Sequence, residues 1–212
     1  MKKQVPSPPR RRDAAATRQA ILASARVAVA RAGYDGAGVR EIASGAGVTA
    51  MLVNRYFGSK ENLFAEAIAE TMATTAVVMP KILESATSGE DIAAALVSIT
   101  KTGATPLEGF QIMLRSASSE RAAEIGREQI EKHHHAAITA ALSGDFAPER
   151  AALMLSLIAG FQVMRQMIGL SALAEAEPKV LAKLLGPVFQ QLMGGEQSAV
   201  RRRQGDPPAG PV

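Results

Sequence analysis

Residues 39–63 read VREIASGAGVTAMLVNRYFGSKENL, and this stretch decides the fold. Val39, Ile42 and Ala43 have the spacing of one face of a short helix. Gly45-Ala46-Gly47 interrupts that pattern. A second short pattern runs from about Thr49 to Phe57, and Gly58-Ser59-Lys60-Glu61 opens a third. Two short helices joined by a glycine-containing turn make a helix-turn-helix, the arrangement that lays its second helix in a major groove of duplex DNA.

Within the second helix, Val53 and Phe57 share a face and should pack onto the helices before them, with Val48 closing the turn. That leaves Thr49, Ala50, Met51, Asn54, Arg55 and Tyr56 toward the groove. The residue types suit the task. Arg55 can reach guanine O6 and N7 with two parallel hydrogen bonds, and Thr49, Ala50 or Met51 can touch a thymine methyl. Asn54 and Tyr56 can bond phosphates or base edges. Arg40 is placed for the DNA backbone or a groove edge. Ser59 and Lys60 open a helix whose free N–H groups and dipole favour a phosphate. Arg10, Arg11 and Arg12 are suited to the backbone or the minor groove.

Upstream, Ile21, Ala25, Ala28, Val29 and Ala32 line one face of a helix over about Asp13–Ala32, which Gly33 should end. Arg18 and Arg26 lie off that stripe, and Tyr34 should pack beneath the next helix. Residues 1–13 read as a disordered basic arm and 195–212 as a disordered tail. Downstream, Ser59 reads as the N-cap of a helix continuing past Met72 until Pro80. Further helices read over about Gly89–Gly103, Pro106–Ser116, Glu120–Leu142, Pro148–Leu173 and Pro178–Met193, and no strand pattern stands out. The reading is all-α: a helix-turn-helix domain over 14–58, then a helical ligand-binding and dimerisation domain over 59–194, joined by the helix that starts at 59.

Composition supports this. Aromatics are 4% against 47% hydrophobic residues, a balance rich in alanine that favours helices over strands. The absence of cysteine excludes a disulfide framework and a thiolate zinc site. Neither a signal peptide nor an apolar run long enough to span a membrane is visible, so a cytoplasmic location is expected. Residues 1–75 hold 11 Lys/Arg against 6 Asp/Glu, a net of +5, whereas 76–195 hold 10 against 12, a net of −2. A basic third on a near-neutral body points to a polyanion met by that third alone. Basic tails that only keep a chain soluble are the alternative, and the asymmetry favours the polyanion.

The 148–173 helix is apolar almost all round, and the last helix carries a broad apolar stripe. Such faces must be covered. An intersubunit four-helix bundle covers them, and two reading heads suit paired half-sites, so a homodimer is expected. Met113, Met154, Met164 and Met167, with Phe110 and Phe161, suit either ordinary core or an adaptable apolar pocket. The candidate lining for a small-molecule effector is Phe110, Met113, Leu114, Ile158, Phe161, Gln162 and Arg165. Gln162 and Arg165 would either fix the polar end of a ligand or satisfy one another. His133-His134-His135 does not read as a metal site, because neighbours on a helix point about 100° apart and cannot close on one ion. No metal or cofactor is expected. Nor is an enzyme, since no nucleophile elbow, Gly-rich phosphate loop or HExxH is present.

From Ile21 to Leu63 the chain resembles the TetR family of bacterial transcriptional regulators. The resemblance rests on Ile21, Leu22, Ala25, Gly33-Tyr34, Val39, Ile42-Ala43, Ala46-Gly47-Val48, Tyr56-Phe57, Ser59-Lys60-Glu61 and Leu63. Where the family often has Thr-Leu-Tyr in the middle of the recognition helix, this chain has Leu52-Val53-Asn54, so Asn54 replaces a tyrosine that commonly reaches a phosphate. The resemblance implies a homodimeric repressor on a near-palindromic operator, released by a small molecule bound among the C-terminal helices. It implies groove or backbone roles for Arg40, Thr49, Ala50, Met51, Asn54, Arg55, Tyr56 and Lys60. A DNA-binding nucleoid protein of the same fold, not gated by a ligand, and a helical enzyme using the C-terminal cavity are the alternatives.

Overall fold

The computed structural model describes residues 11–76, 88–101 and 108–194. Every element among the described residues is helical: α1 (Arg11–Gly36), α2 (Val39–Gly45), α3 (Ala50–Phe57), α4 (Lys60–Ala76), α5 (Gly89–Ile99), α6 (Glu108–Ser116), α7 (Glu120–Ile130), α8 (Ala136–Ala141), α9 (Ala147–Gln162), α10 (Ser171–Ala174) and α11 (Pro178–Gly194). Two π-helical segments interrupt the α geometry, Glu131–His135 between α7 and α8 and Val163–Met167 after α9. The arm before residue 11, the stop expected at Pro80, the helix start expected at Pro106 and the tail lie outside the described residues.

By packing, the chain divides into two compact units. The described residues up to Thr71 and Glu108–Gln129 form the first; the other described residues form the second. This differs from the division expected at 58/59. Most of α4, with α6 and α7, belongs with the reading head because their apolar faces complete its core. Leu63, Phe64, Ala67 and Ile68 of α4, Ile112 of α6 and Ile125 of α7 are all buried.

In the first unit, Ile21, Leu22, Ala25, Ala28 and Val29 form the buried stripe of α1. The helix breaks at Gly33, whose φ of 71° is the left-handed region that glycine enters without cost. Tyr34 is buried and meets the Phe64 ring of α4 at 4.7 Å between centroids. Its backbone N–H donates to Ser116 Oγ of α6 at 3.0 Å.

The second unit is built on the crossing of α5 and α11. Ile92, Ala93, Leu96 and Val97 of α5 join Leu181, Ala182 and Phe189 of α11 in one core with Ile138, Ala151, Met154 and Phe161. Ser88 and Asp91 close a reciprocal capping box at the start of α5. Two buried arginines are satisfied almost wholly by main chain. Arg150 donates to five carbonyl oxygens: Ser143, Gly144 and Asp145 of the preceding loop, and Leu192 and Met193 at the end of α11. Those last two are among the carbonyls that a helix C-terminus leaves unpaired. Arg165 donates to Leu173 O at 3.2 Å, to Val97 O at 2.8 Å and to Thr100 Oγ1 at 3.1 Å.

The helix read over Glu120–Leu142 is continuous through its π segment. The one read to Leu173 stops earlier, at the second π segment, with Gly169 at φ 69° and the short α10 beyond. No helix among the described residues is long and apolar enough to cross a membrane.

Candidate nucleic-acid interface

The turn between α2 and α3 sets the direction of the recognition helix. Gly47, at φ 68°, lets its N–H donate to Ser44 O while Val48 N–H donates to Ala43 O. These are the two bonds of a Schellman C-cap, and the left-handed residue they require is the glycine. Ser24 Oγ of α1 donates to Ile42 O at 2.8 Å and holds α2 from behind. Thr49 then caps α3, its Oγ1 accepting from Leu52 N–H at 3.3 Å.

Val53 and Phe57 of α3 are buried, as their spacing requires. The opposite face is presented. Thr49, Met51, Asn54 and Arg55 are exposed, Met51 to 81%, and Ala50 and Tyr56 are half-buried. Arg40 on α2 is exposed as well. Among the described residues neither Arg40 nor Arg55 makes an ion pair, so both charges are open to a phosphate or a base edge.

Three other arginines of this unit are committed to the scaffold. Arg18 pairs with Glu66 of α4 and lies 4.9 Å from the centroid of the Phe57 ring. Arg26 reaches Glu70 of α4 at 3.3 Å and Glu108 of α6 at 2.9 Å. Arg31 pairs with Glu41. Cations that look alike in the sequence are thus sorted into ties between helices and a free set that includes Arg40 and Arg55.

The start of α4 has the cap and first-turn carboxylate that its sequence suggests. Ser59 Oγ accepts from Asn62 N–H at 3.1 Å, and Glu61 sits in the first turn. The Glu61 carboxylate is held below its usual range by its own backbone N–H, then by the Ser59 hydroxyl and Tyr34. Glu61 thus sets an internal anion against the free N–H groups of this helix start. Tyr34 Oη donates to Glu61 Oε1 at 3.1 Å, and burial followed by this bond pushes the phenol up to about 12, so it remains a neutral donor. Lys60 Nζ lies over the Tyr34 ring at 4.6 Å, half-buried, and is the cation left at this corner. The presence of Glu61 three residues into a Gly-Ser-Lys-Glu start is the signal in the sequence for this arrangement.

The candidate effector residues fall into two groups. Phe110, Met113 and Leu114 belong to α6 and the first unit; Ile158, Phe161, Gln162 and Arg165 belong to the second. Met113 packs its thioether against Gly126 of α7, and Leu114 is exposed. Ile158 packs on the core that holds Phe161, and Gln162 is buried. Among the described residues Arg165 bonds main chain and Thr100 rather than Gln162. Burial lowers the Arg165 pKa, and its ring neighbour is Phe161 at 5.7 Å. Among the described residues no group of three or more His, Asp or Glu could hold a metal ion.

A family model described as bacterial regulatory proteins, tetR family, matches residues 21–67. A second, described as tetracyclin repressor-like, C-terminal domain, matches residues 86–193. The chain belongs to the TetR family. Among solved structures, this TetR regulator is similar to a TetR-family regulator from Streptomyces coelicolor A3, at 26% identity over 88% of this chain and 99% of that one, with a TM-score of 0.57. It shares its fold with the transcriptional regulator FadR from Bacillus subtilis, solved in complex with stearoyl-CoA, at 16% identity over 83% and 97% of the two chains and a TM-score of 0.55. The fatty acid degradation regulator FadR from Bacillus halodurans matches at 18% identity over 92% and 99%, with a TM-score of 0.58. Among curated proteins, none matches the chain in sequence. The protein is a TetR-family transcriptional regulator, and α2–α3 is its helix-turn-helix.

Proposed function

We propose that this regulator is a repressor that binds a near-palindromic operator as a homodimer and is released by a small-molecule effector held among its C-terminal helices. The observation that carries the DNA reading is the free face of α3. Arg55 and Asn54 are exposed above buried Val53 and Phe57, and Arg40 on α2 is exposed and, among the described residues, makes no ion pair.

Support for the dimer comes from apolar side chains exposed in a single subunit. On α11, Val180, Leu184 and Val188 recur every four residues at 48%, 68% and 44% exposure. Leu153 on α9, and Met164 and Ile168 at its far end, are exposed too. Two such helices from each subunit make a four-helix bundle. Two heads would then read half-sites about 34–36 Å apart, or a multiple of that distance. An effector is supported by the relatives, one of which holds stearoyl-CoA.

Selection of bound sequences from a random duplex pool tests the reading; enrichment of an inverted repeat is the expected result, and an unstructured pool after selection overturns it. Two variants then separate base contacts from backbone contacts. Arg55→Ala should cost about 1–3 kcal/mol on the operator and relax selection at one base pair of each half-site. Equal loss on operator and random DNA would contradict the base-reading role. Lys60→Ala should weaken binding to all sequences alike and make the slope of log affinity against log salt shallower, by about 0.9 for every phosphate that Lys60 neutralises in the wild-type complex. A slope identical to wild type would remove Lys60 from the interface.

A further inference from the structure

Among the described residues, three buried side-chain polar atoms lack a hydrogen-bond partner, and all three lie in the second unit: Thr139 Oγ1, and both Nε2 and Oε1 of Gln166. A buried amide with neither end paired is costly, and folded proteins keep such groups rarely. Gln166 also sits in the π-helical segment Val163–Met167. Single π turns inside α-helices concentrate at functional sites, because the inserted residue turns side chains away from the positions that the α period would give them.

No described residue completes this amide. The adjacent Arg165 spends its Nε and Nη1 on Leu173 O, Val97 O and Thr100 Oγ1, and the Thr100 hydroxyl donates to Leu96 O. On the helix leading to Gln166, Met154 and Phe161 are buried and Ile158 packs on the same core; Gln162 is the buried polar residue nearest in sequence on it, and Arg150, at its far end, is taken up by carbonyl oxygens.

What would satisfy Gln166 follows from its two ends. Nε2 needs an acceptor and Oε1 needs a donor, side by side. A carboxylate, ester or ketone supplies acceptors alone, and an ammonium supplies donors alone. An undissociated carboxylic acid offers both, but is ionised at neutral pH. A primary carboxamide or a lactam edge offers both without charge. We propose that Gln166 is the polar anchor of the effector site, pairing edge to edge with the amide or lactam group of an otherwise apolar ligand. This rests on the effector reading above and names the ligand class for it. The sequence carries no signal for this role, since Gln166 stands beside the more conspicuous Arg165 and its amide is indistinguishable from a surface glutamine.

The test uses the full chain and two probes with the same tail, octanamide and methyl octanoate, the second able only to accept. Calorimetric titration should show octanamide binding about tenfold or more tightly than the ester, because an anchor built for a donor rejects a ligand that lacks one. Gln166→Leu should bring the amide down to the level of the ester and leave the ester unchanged, with an unbound melting temperature equal to or above wild type. The side-chain NH2 resonance of Gln166 in the wild-type protein should shift with octanamide and stay with the ester, which gives the same answer without a variant. Equal binding of both probes, or amide binding untouched by Gln166→Leu with an unmoved resonance, overturns the anchor and leaves an ordered water as the partner of Gln166, while the effector site stands. Binding of neither probe overturns the anchor together with the apolar effector site on which it depends.

Discussion

Gly89→Ala is expected to lower the stability of the second unit by about 3 kcal/mol or more, at or above the upper end of ordinary overpacking costs. The reason lies in what the new methyl group meets. A Cβ at Gly89 would fall against Gly186 O, Gln190 N and, at 2.8 Å, Gln190 Cα. All three are main-chain atoms of α11, so no side chain can swing aside. α5 and α11 would have to separate, loosening Ile92, Leu96, Leu181 and Phe189 together and lengthening the bond from Gly89 N–H to Gln190 Oε1, now 2.7 Å. For a chain of this length such a loss corresponds to a fall in melting temperature of roughly 6–12 °C. Gly126→Ala is the matched control. Its Cβ would meet the Cε and, at 2.7 Å, the Sδ of Met113, the mobile end of a flexible side chain, and its effect should stay within about 1 kcal/mol because helix propensity offsets the repacking. Equal melting temperatures for the two variants would show that α5 and α11 do not approach at Gly89.

Leu184→Glu should turn a dimer into a monomer and weaken operator binding by about 100-fold or more, since two linked heads bind far more tightly than either alone. Leu184 is 68% exposed in the single subunit, so a carboxylate there stays hydrated and the subunit should keep its stability within about 0.5 kcal/mol of wild type. In a bundle formed through α9 and α11 the same carboxylate would be buried without a partner, and an unpaired buried charge is among the most costly changes available. Light scattering measures the mass, and titration of the selected operator measures the affinity. A Leu184→Glu protein that stays dimeric and binds normally would move the interface away from the Val180–Leu184–Val188 stripe.

The sequence is most legible where one physical rule acts alone. Buried Val53 and Phe57, the stop at Gly33 and the capping role of Ser59 follow from helical period, left-handed glycine and side-chain caps, all of which are local. Legibility fails where the deciding interaction joins distant residues or breaks the period. A boundary at 58/59 misses that α4, α6 and α7 share the core of the reading head, a matter of tertiary packing. The π segments at 131–135 and 163–167 look like uninterrupted helix in the sequence because a one-residue insertion leaves no mark in a 3.6-residue pattern. Among the candidate site residues, exposure of Arg40, Asn54 and Arg55 can be read from the faces of their helices. Glu61 in the first turn of α4 can be read as well, from the Gly-Ser-Lys-Glu start; its bond to Tyr34 cannot, since Tyr34 lies 27 residues away in sequence. Arg165 reads in the sequence as a contact for the polar end of a ligand or for Gln162; in the structure it bonds the carbonyls of Val97 and Leu173 and the Thr100 hydroxyl, which lie far from it in the sequence or beyond the break in its helix.

The clamp made by Arg150 has a consequence for how this chain can drift. Its five acceptors are all main-chain oxygens, which every amino acid carries. Ser143, Asp145, Leu192 and Met193 are therefore free to change identity, as far as the clamp is concerned, and no compensating change at position 150 is called for. Arg150 itself has no such freedom: lysine, with one compact ammonium, cannot span carbonyls on two sides of the unit as the planar guanidinium does. An alignment of close relatives should accordingly show a solitary fixed arginine with no covarying mate, a residue whose importance is invisible to any method that searches for pairs.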